Sequence, residues 1–90
     1  MKIKDGFIIR EICGEHIIVA EGEENIDFTN IISINETSVF LWNEAKKLKD
    51  FTIEDLVNAT TKKYSVDENK AKEDITSLVD KWKELGLIKL

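Results

Sequence analysis

His16, Cys13, a handful of serines and one acidic run are the groups in this 90-residue chain that could perform chemistry. His16 is the sole histidine and adjoins the apolar run Ile17-Ile18-Val19, so a His-based triad or a multi-histidine metal site has almost nothing to build from. A structural or surface role is expected for it. Cys13, the sole cysteine, excludes an intramolecular disulfide and a Cys-rich metal site, and it reads as a small apolar turn residue. Ser33, Ser38, Ser65 and Ser77 lack a base partner, and no Gly-rich phosphate loop is present. The run Glu21, Glu23, Glu24 and Asp27 could attract Ca2+, but it lacks the EF-hand spacing and its closing bidentate Glu. A solvated loop is expected there. No catalytic residue, metal ligand or cofactor site is therefore expected, and the chain reads as a non-enzyme.

Composition turns the question from catalysis to binding. Ninety residues support one domain, 1–90, which buries roughly two-thirds of its unfolded surface. Hydrophobic residues at 42% and charged residues at 34% describe an ordinary globular chain rather than a disordered one, despite a net charge of -5. A protein that grips phosphates needs clustered Lys and Arg, whereas here 13 basic residues are interleaved with 18 acidic ones. Nucleic acid is disfavoured as a partner. No apolar run is long enough to span a membrane, and Met1-Lys2-Ile3-Lys4-Asp5 lacks the apolar stretch of a secretory signal. A soluble, cytoplasmic protein with no membrane partner is expected.

The elements that must position any binding residue follow from local patterning. Phe7 to Ile12 and His16 to Ala20 are β-branched runs separated by Cys13-Gly14-Glu15, and Gly14 supplies the positive φ of a tight antiparallel hairpin. After the polar Gly22-Glu23-Glu24-Asn25, a third strand lies within Ile26 to Ile34. It runs straight into a helix start: Asn35 can accept from the backbone N–H of Thr37 or Ser38, which ties the strand to a helix over about Glu36 to Leu48. That helix should turn Val39, Phe40, Trp42 and Ala45 toward one face.

Thr52-Ile53-Glu54-Asp55 resembles a capping box for a second helix that carries Ile53, Leu56, Val57 and Ala59 and runs to about Tyr64. Asp67 caps a third helix, Glu68 to Leu85, whose stripe is Ala71, Ile75, Leu78, Trp82 and Leu85. Gly86 ends it, and Leu87, Ile88 and Leu90 can fold back onto the core. Trp42 and Trp82 are expected in the core, with a groove-lining role for one of them as the alternative. Val79 lies about 80° around the helix from the stripe. It either widens the stripe toward an open groove or belongs to a broad buried face.

With this order in hand, the chain resembles the PqqD family of small peptide-binding proteins, the peptide chaperones that serve as recognition elements for ribosomally made precursor peptides. The match runs from Lys4 to Ile88. It rests on Arg10-Glu11 and Gly14-Glu15 around the hairpin, Ile34-Asn35-Glu36-Thr37 with Leu41-Trp42, and Thr52-Ile53-Glu54-Asp55-Leu56. Tyr64-Ser65-Val66-Asp67, Asp74-Ile75 and Leu85-Gly86-Leu87-Ile88 complete it. Two departures stand out: Lys49-Asp50-Phe51 replaces a frequent glycine after the first helix, leaving Asp50 or Lys49 to take the left-handed turn, and Ser38 stands where a small apolar residue is usual.

The resemblance implies an α+β fold, a three-stranded antiparallel sheet followed by three helices in a winged helix-turn-helix-like arrangement. It implies binding of a precursor's leader segment, added as a strand beside the third strand and against the third helix, and its presentation to a modifying enzyme, often a radical SAM enzyme. Peptide-derived natural products or a PQQ-type cofactor are the implied end products. Carried over by position, the peptide-binding residues are Ile31, Ile32, Ser33 and Ile34 on the strand, with Ile75, Leu78, Val79 and Trp82 as the helix wall. An unpaired strand edge fits such a role on physical grounds as well. The rivals are a DNA-binding winged helix, opposed by the alternating charges of the third helix, and a structural homodimer without a peptide ligand, formed through the open edge or a swapped segment.

Overall fold

The computed structural model of the protein describes residues 1–20 and 32–90. Expectations for Ile31, for the acidic run and for the beginning of the third strand lie outside them. The element order is β1 (Lys2–Ile3), β2 (Phe7–Ile12), β3 (Glu15–Ala20), β4 (Ile32–Ile34), α1 (Glu36–Leu48), α2 (Ile53–Lys63), α3 (Glu68–Glu84) and β5 (Ile88–Lys89). Strands β2, β3 and β4 form an antiparallel sheet in that order, so the expected third strand is β4.

The β2–β3 hairpin closes through two residues with positive φ, Cys13 at 54° and Gly14 at 80°. That is the type I′ geometry, whose twist matches that of the flanking strands. The register pairs Ile12 with Glu15, and β4 follows with His16 opposite Ile34 and Ile18 opposite Ile32. One face of the sheet then carries Phe7, Ile9, Ile18 and Ile34, which pack on the helices.

All three helix starts are capped by the side chains that the sequence offers. Asn35 Oδ1 accepts from the Ser38 backbone N–H at 2.9 Å, and Asp67 Oδ2 accepts from that of Lys70 at 3.1 Å. At α2 the capping box is complete, with the Asp55 N–H donating to Thr52 Oγ1 at 3.1 Å and the Thr52 N–H donating to Asp55 Oδ2 at 3.0 Å. Removing the first of these caps with Asn35→Ala is expected to cost about 1 kcal/mol with the fold intact. A lower denaturant midpoint at unchanged slope is the signature, and an unchanged midpoint would show that the cap does no work.

The terminal strands β1 and β5 were not foreseen. They pair antiparallel, Lys2 with Lys89 and Ile3 with Ile88, and the Lys4 N–H donates to the Leu87 carbonyl at 2.9 Å. The chain reaches this pairing through the end of α3, where the Leu87 N–H bonds the Trp82 carbonyl and the Gly86 N–H, at a φ of 78°, bonds that of Lys83. This pair of hydrogen bonds is a Schellman motif, and it turns Leu87 and Ile88 into the core as expected. Leu90 does not follow; it lies past β5 and is 88% exposed. At the opposite end the Met1 ammonium bonds Asp50 Oδ1 at 2.9 Å, and this contact holds the Asp50 carboxyl below its usual range. After α1 it is Lys49, with φ 66° and ψ -75°, that makes the turn.

The buried faces of the helices are rotated from those expected. In α1 the residues turned inward are Ser38, Leu41, Trp42 and Ala45, with Val39 and Phe40 only half-buried. Four consecutive apolar residues, 39–42, spread around more than one face of the helix, and the one that is buried carries Ser38, Leu41, Trp42 and Ala45. In α2, Thr60 joins Leu56 and Val57 inside while Ala59 is half-buried. In α3 the buried set is Ala71, Ile75, Val79 and Trp82, leaving Leu78 half-buried and Leu85 exposed. Trp42 and Trp82 meet edge-to-face at the centre, with ring centroids 5.3 Å apart and planes at 88°.

Candidate functional site

Strand pairing decides which backbone groups remain available. In a two-residue hairpin the closing pair exchanges both hydrogen bonds, so Ile12–Glu15, Arg10–Ile17 and Ile8–Val19 are the bonded pairs of β2 and β3. His16 and Ile18 must then turn their N–H and C=O groups toward β4, where they face Ile34 and Ile32. By the same alternation, Ser33 directs its N–H and C=O away from β3. Among the described residues no strand pairs with that side of β4. The opposite sheet edge is different. Phe7, Ile9 and Glu11 point outward there, but Lys46 Nζ already donates to the Phe7 carbonyl at 2.6 Å.

Beside the end of β4 opens a groove of about 510 Å³, lined by Asn35, Ser38 and Leu41 of the α1 start and by Ala71, Asp74, Ile75 and Leu78 of α3. Its far end is the α2–α3 connection, where Tyr64 and Val66 are both exposed apolar side chains. Tyr64 is held edge-on to Phe40, centroids 5.8 Å apart, with Lys63 Nζ 4.5 Å from the Phe40 ring centre. The groove is mainly apolar. Lys70 and Asp74 form an exposed i,i+4 ion pair at its rim, 3.5 Å apart, which contributes little to stability. Asn35 also borders a shallower recess with His16, Ser33, Ile34 and Glu36, so strand edge and groove adjoin.

The residues expected to bind peptide fall into three groups. Ser33 is exposed on the open edge, Ile34 packs half-buried on the sheet's inner face, and Ile32 is described through its backbone in β4. Ile75 and Leu78 line the groove. Val79 and Trp82, by contrast, are 0% and 1% exposed and present no surface to a ligand; they support the wall from behind. Of the two readings open for Val79, the structure takes the broad buried face. Ile31 lies outside the described residues.

Sequence reasoning missed the rest of the lining, including Asn35, Ser38 and Leu41 at the α1 start, Thr60 on α2, and Tyr64 and Val66 beyond it. A usable signal existed in Tyr64-Ser65-Val66, where two large apolar side chains flank a serine between a helix end and the Asp67 cap. Apolar residues in a connecting segment have no helix face to belong to, so their exposure there points to a binding surface. Among the described residues no three His, Cys, Asp or Glu side chains gather as a metal site, and no helix is long and apolar enough to cross a membrane.

Comparison with known proteins adds three findings. A solved structure described as TbiB1 in complex with the TbiA(beta) leader peptide superposes with a TM-score of 0.73, covering 99% of this chain and 95% of that one at 18% identity. At that identity the likeness concerns the fold. No curated protein matches the chain significantly. The family model for Coenzyme PQQ synthesis protein D matches residues 15–88, from β3 to β5, and the chain belongs to the PqqD family.

Proposed function

We propose that the protein binds the leader segment of a ribosomally synthesised precursor peptide and presents it, in the cytoplasm, to a peptide-modifying enzyme, often a radical SAM enzyme. The role is recognition, without catalysis or cofactor. The leader adds antiparallel to β4 as a fourth strand, takes main-chain hydrogen bonds from Ser33, and lays alternate side chains into the groove beside Ile75 and Leu78. Trp82 packs on Trp42 of α1 and, with Val79, anchors α3 in the core behind the groove. By tethering the substrate, the domain raises its concentration at the enzyme.

The observation that carries this reading is the meeting of Ser33's outward N–H and C=O with an adjoining apolar groove. Lys46 on the β2 edge supports the choice of β4. Duplex DNA is a poor alternative ligand: on α3, Lys70, Lys72 and Lys83 lie within 4.0 Å of carboxylates, and the chain's net charge is -5. The same open edge can pair with β4 of a second copy, and such a homodimer would compete with the leader.

The test is an amide titration with the leader of a precursor encoded beside this chain. Shifts should appear together at Ser33, Ile34 and the α3 amides from Ala71 to Leu78, and binding should survive a rise from low to physiological salt. Shifts confined to the Cys13–Gly14 turn would place the ligand elsewhere. A tight, salt-sensitive DNA complex would replace the peptide reading altogether.

A further inference from the structure

Ser38 introduces a polar atom into a groove that is mainly apolar. The residue is 7% exposed, lines the groove with Leu41, Ala71 and Ile75, and bonds Asn35 through its backbone N–H. Among the described residues no hydrogen bond uses its hydroxyl. Thr60, also buried and on the same groove, donates its hydroxyl hydrogen to the Leu56 carbonyl at 2.8 Å and so can only accept a further bond. The floor therefore offers one hydroxyl able to donate or accept and a second able to accept.

We propose that Ser38 sets the protein's peptide specificity by selecting a hydroxyl- or carboxamide-bearing side chain, Ser, Thr, Asn or Gln, at the ligand position that enters the groove. The proposal rests on the leader-binding reading above. An apolar side chain seated over Ser38 strips water from the hydroxyl and returns nothing, whereas a side chain with a matching polar atom restores the bond. Strand geometry locates the position. The ligand residue opposite Ser33 turns its side chain away from the helices, and its neighbours opposite Ile32 and Ile34 turn theirs inward. The neighbour opposite Ile34 is nearest to Asn35 and Ser38. The recognised pattern is thus a polar residue and an apolar one, two positions apart, with an unconstrained residue between them.

The experiment uses a phage-displayed library of random dodecapeptides, selected in parallel on the wild-type chain and on Ser38→Ala. Circular dichroism and a thermal melt establish that the variant is folded, and Ser38→Thr, which keeps a hydroxyl, serves as the second variant. Wild-type protein should enrich the polar–any–apolar pattern, Ser38→Thr should retain it, and Ser38→Ala should lose only the polar preference. A synthetic peptide from the wild-type pool should bind the wild-type chain about fivefold better than its Thr→Val counterpart, and Ser38→Ala should bind the two equally. Identical enrichment of an alternating pattern on wild type and Ser38→Ala, with or without a polar preference, overturns the role of Ser38 and leaves leader binding standing. Absence of any alternating pattern on either chain overturns the leader-binding reading itself and this inference with it.

Discussion

Val79→Asp is expected to abolish folding, whereas Leu78→Asp, one position earlier, is expected to fold and to lose peptide binding. Both substitutions put a carboxylate on the same turn of α3, and only its direction differs. Val79 is wholly buried in the core that Trp42 and Trp82 anchor, where a carboxylate finds neither water nor a cation. The lost apolar contacts and the desolvated acid together cost on the order of 5 kcal/mol, comparable to the whole stability of a domain this size. Leu78 is half-buried on the groove wall, so Leu78→Asp leaves its charge in water at a cost of about 1–2 kcal/mol. Its effect appears when a peptide arrives, because the carboxylate must then be desolvated against an apolar side chain, and affinity should fall at least tenfold. Far-UV circular dichroism with urea unfolding reads the first variant, and calorimetric titration of the leader reads the second. A folded Val79→Asp chain that fails to bind peptide would mean that Val79, not Leu78, faces the groove.

This pair of residues also marks where the sequence stopped being informative. Helix ends were legible because each depends on one or two side chains at fixed offsets, and Asn35, Thr52, Asp67 and Gly86 all act where their types predict. The hairpin was legible through Gly14 for the same reason. Helix rotation is a tertiary quantity. In α3, Leu78 and Val79 are adjacent apolar residues that both extend the stripe, and the choice between them is made by how Trp82 packs against Trp42. The β1–β5 pair was illegible because two-residue strands carry no period, and their pairing joins the two ends of the chain. The groove suffered most from this limit. Its α3 wall and the strand beside it both came from the family resemblance, but Ser38, Thr60 and Tyr64 reach it from elements whose relative placement no local pattern encodes.

Ser33→Pro is expected to leave the fold intact and to reduce leader affinity at least tenfold. Proline removes one backbone N–H and fixes φ near the values that an edge strand tolerates. At Ser33 the missing N–H is the one directed away from β3, so the β3–β4 ladder keeps its bonds through Ile32 and Ile34. A ligand strand loses the donor it needs and meets the pyrrolidine ring where its own carbonyl should lie. One hydrogen bond is worth about 1 kcal/mol net, and the steric obstruction adds to it, which is why the loss should exceed that of the bond alone. Ile34→Pro is the matched control. Its N–H bonds His16 within the sheet, so that substitution should lower stability as well as binding. The two prolines differ only in the parity of one position, and strand addition at β4 requires them to behave differently. Equal destabilisation by both would show that the register is shifted by one residue, and undiminished leader binding by a folded Ser33→Pro chain would move the peptide off this edge.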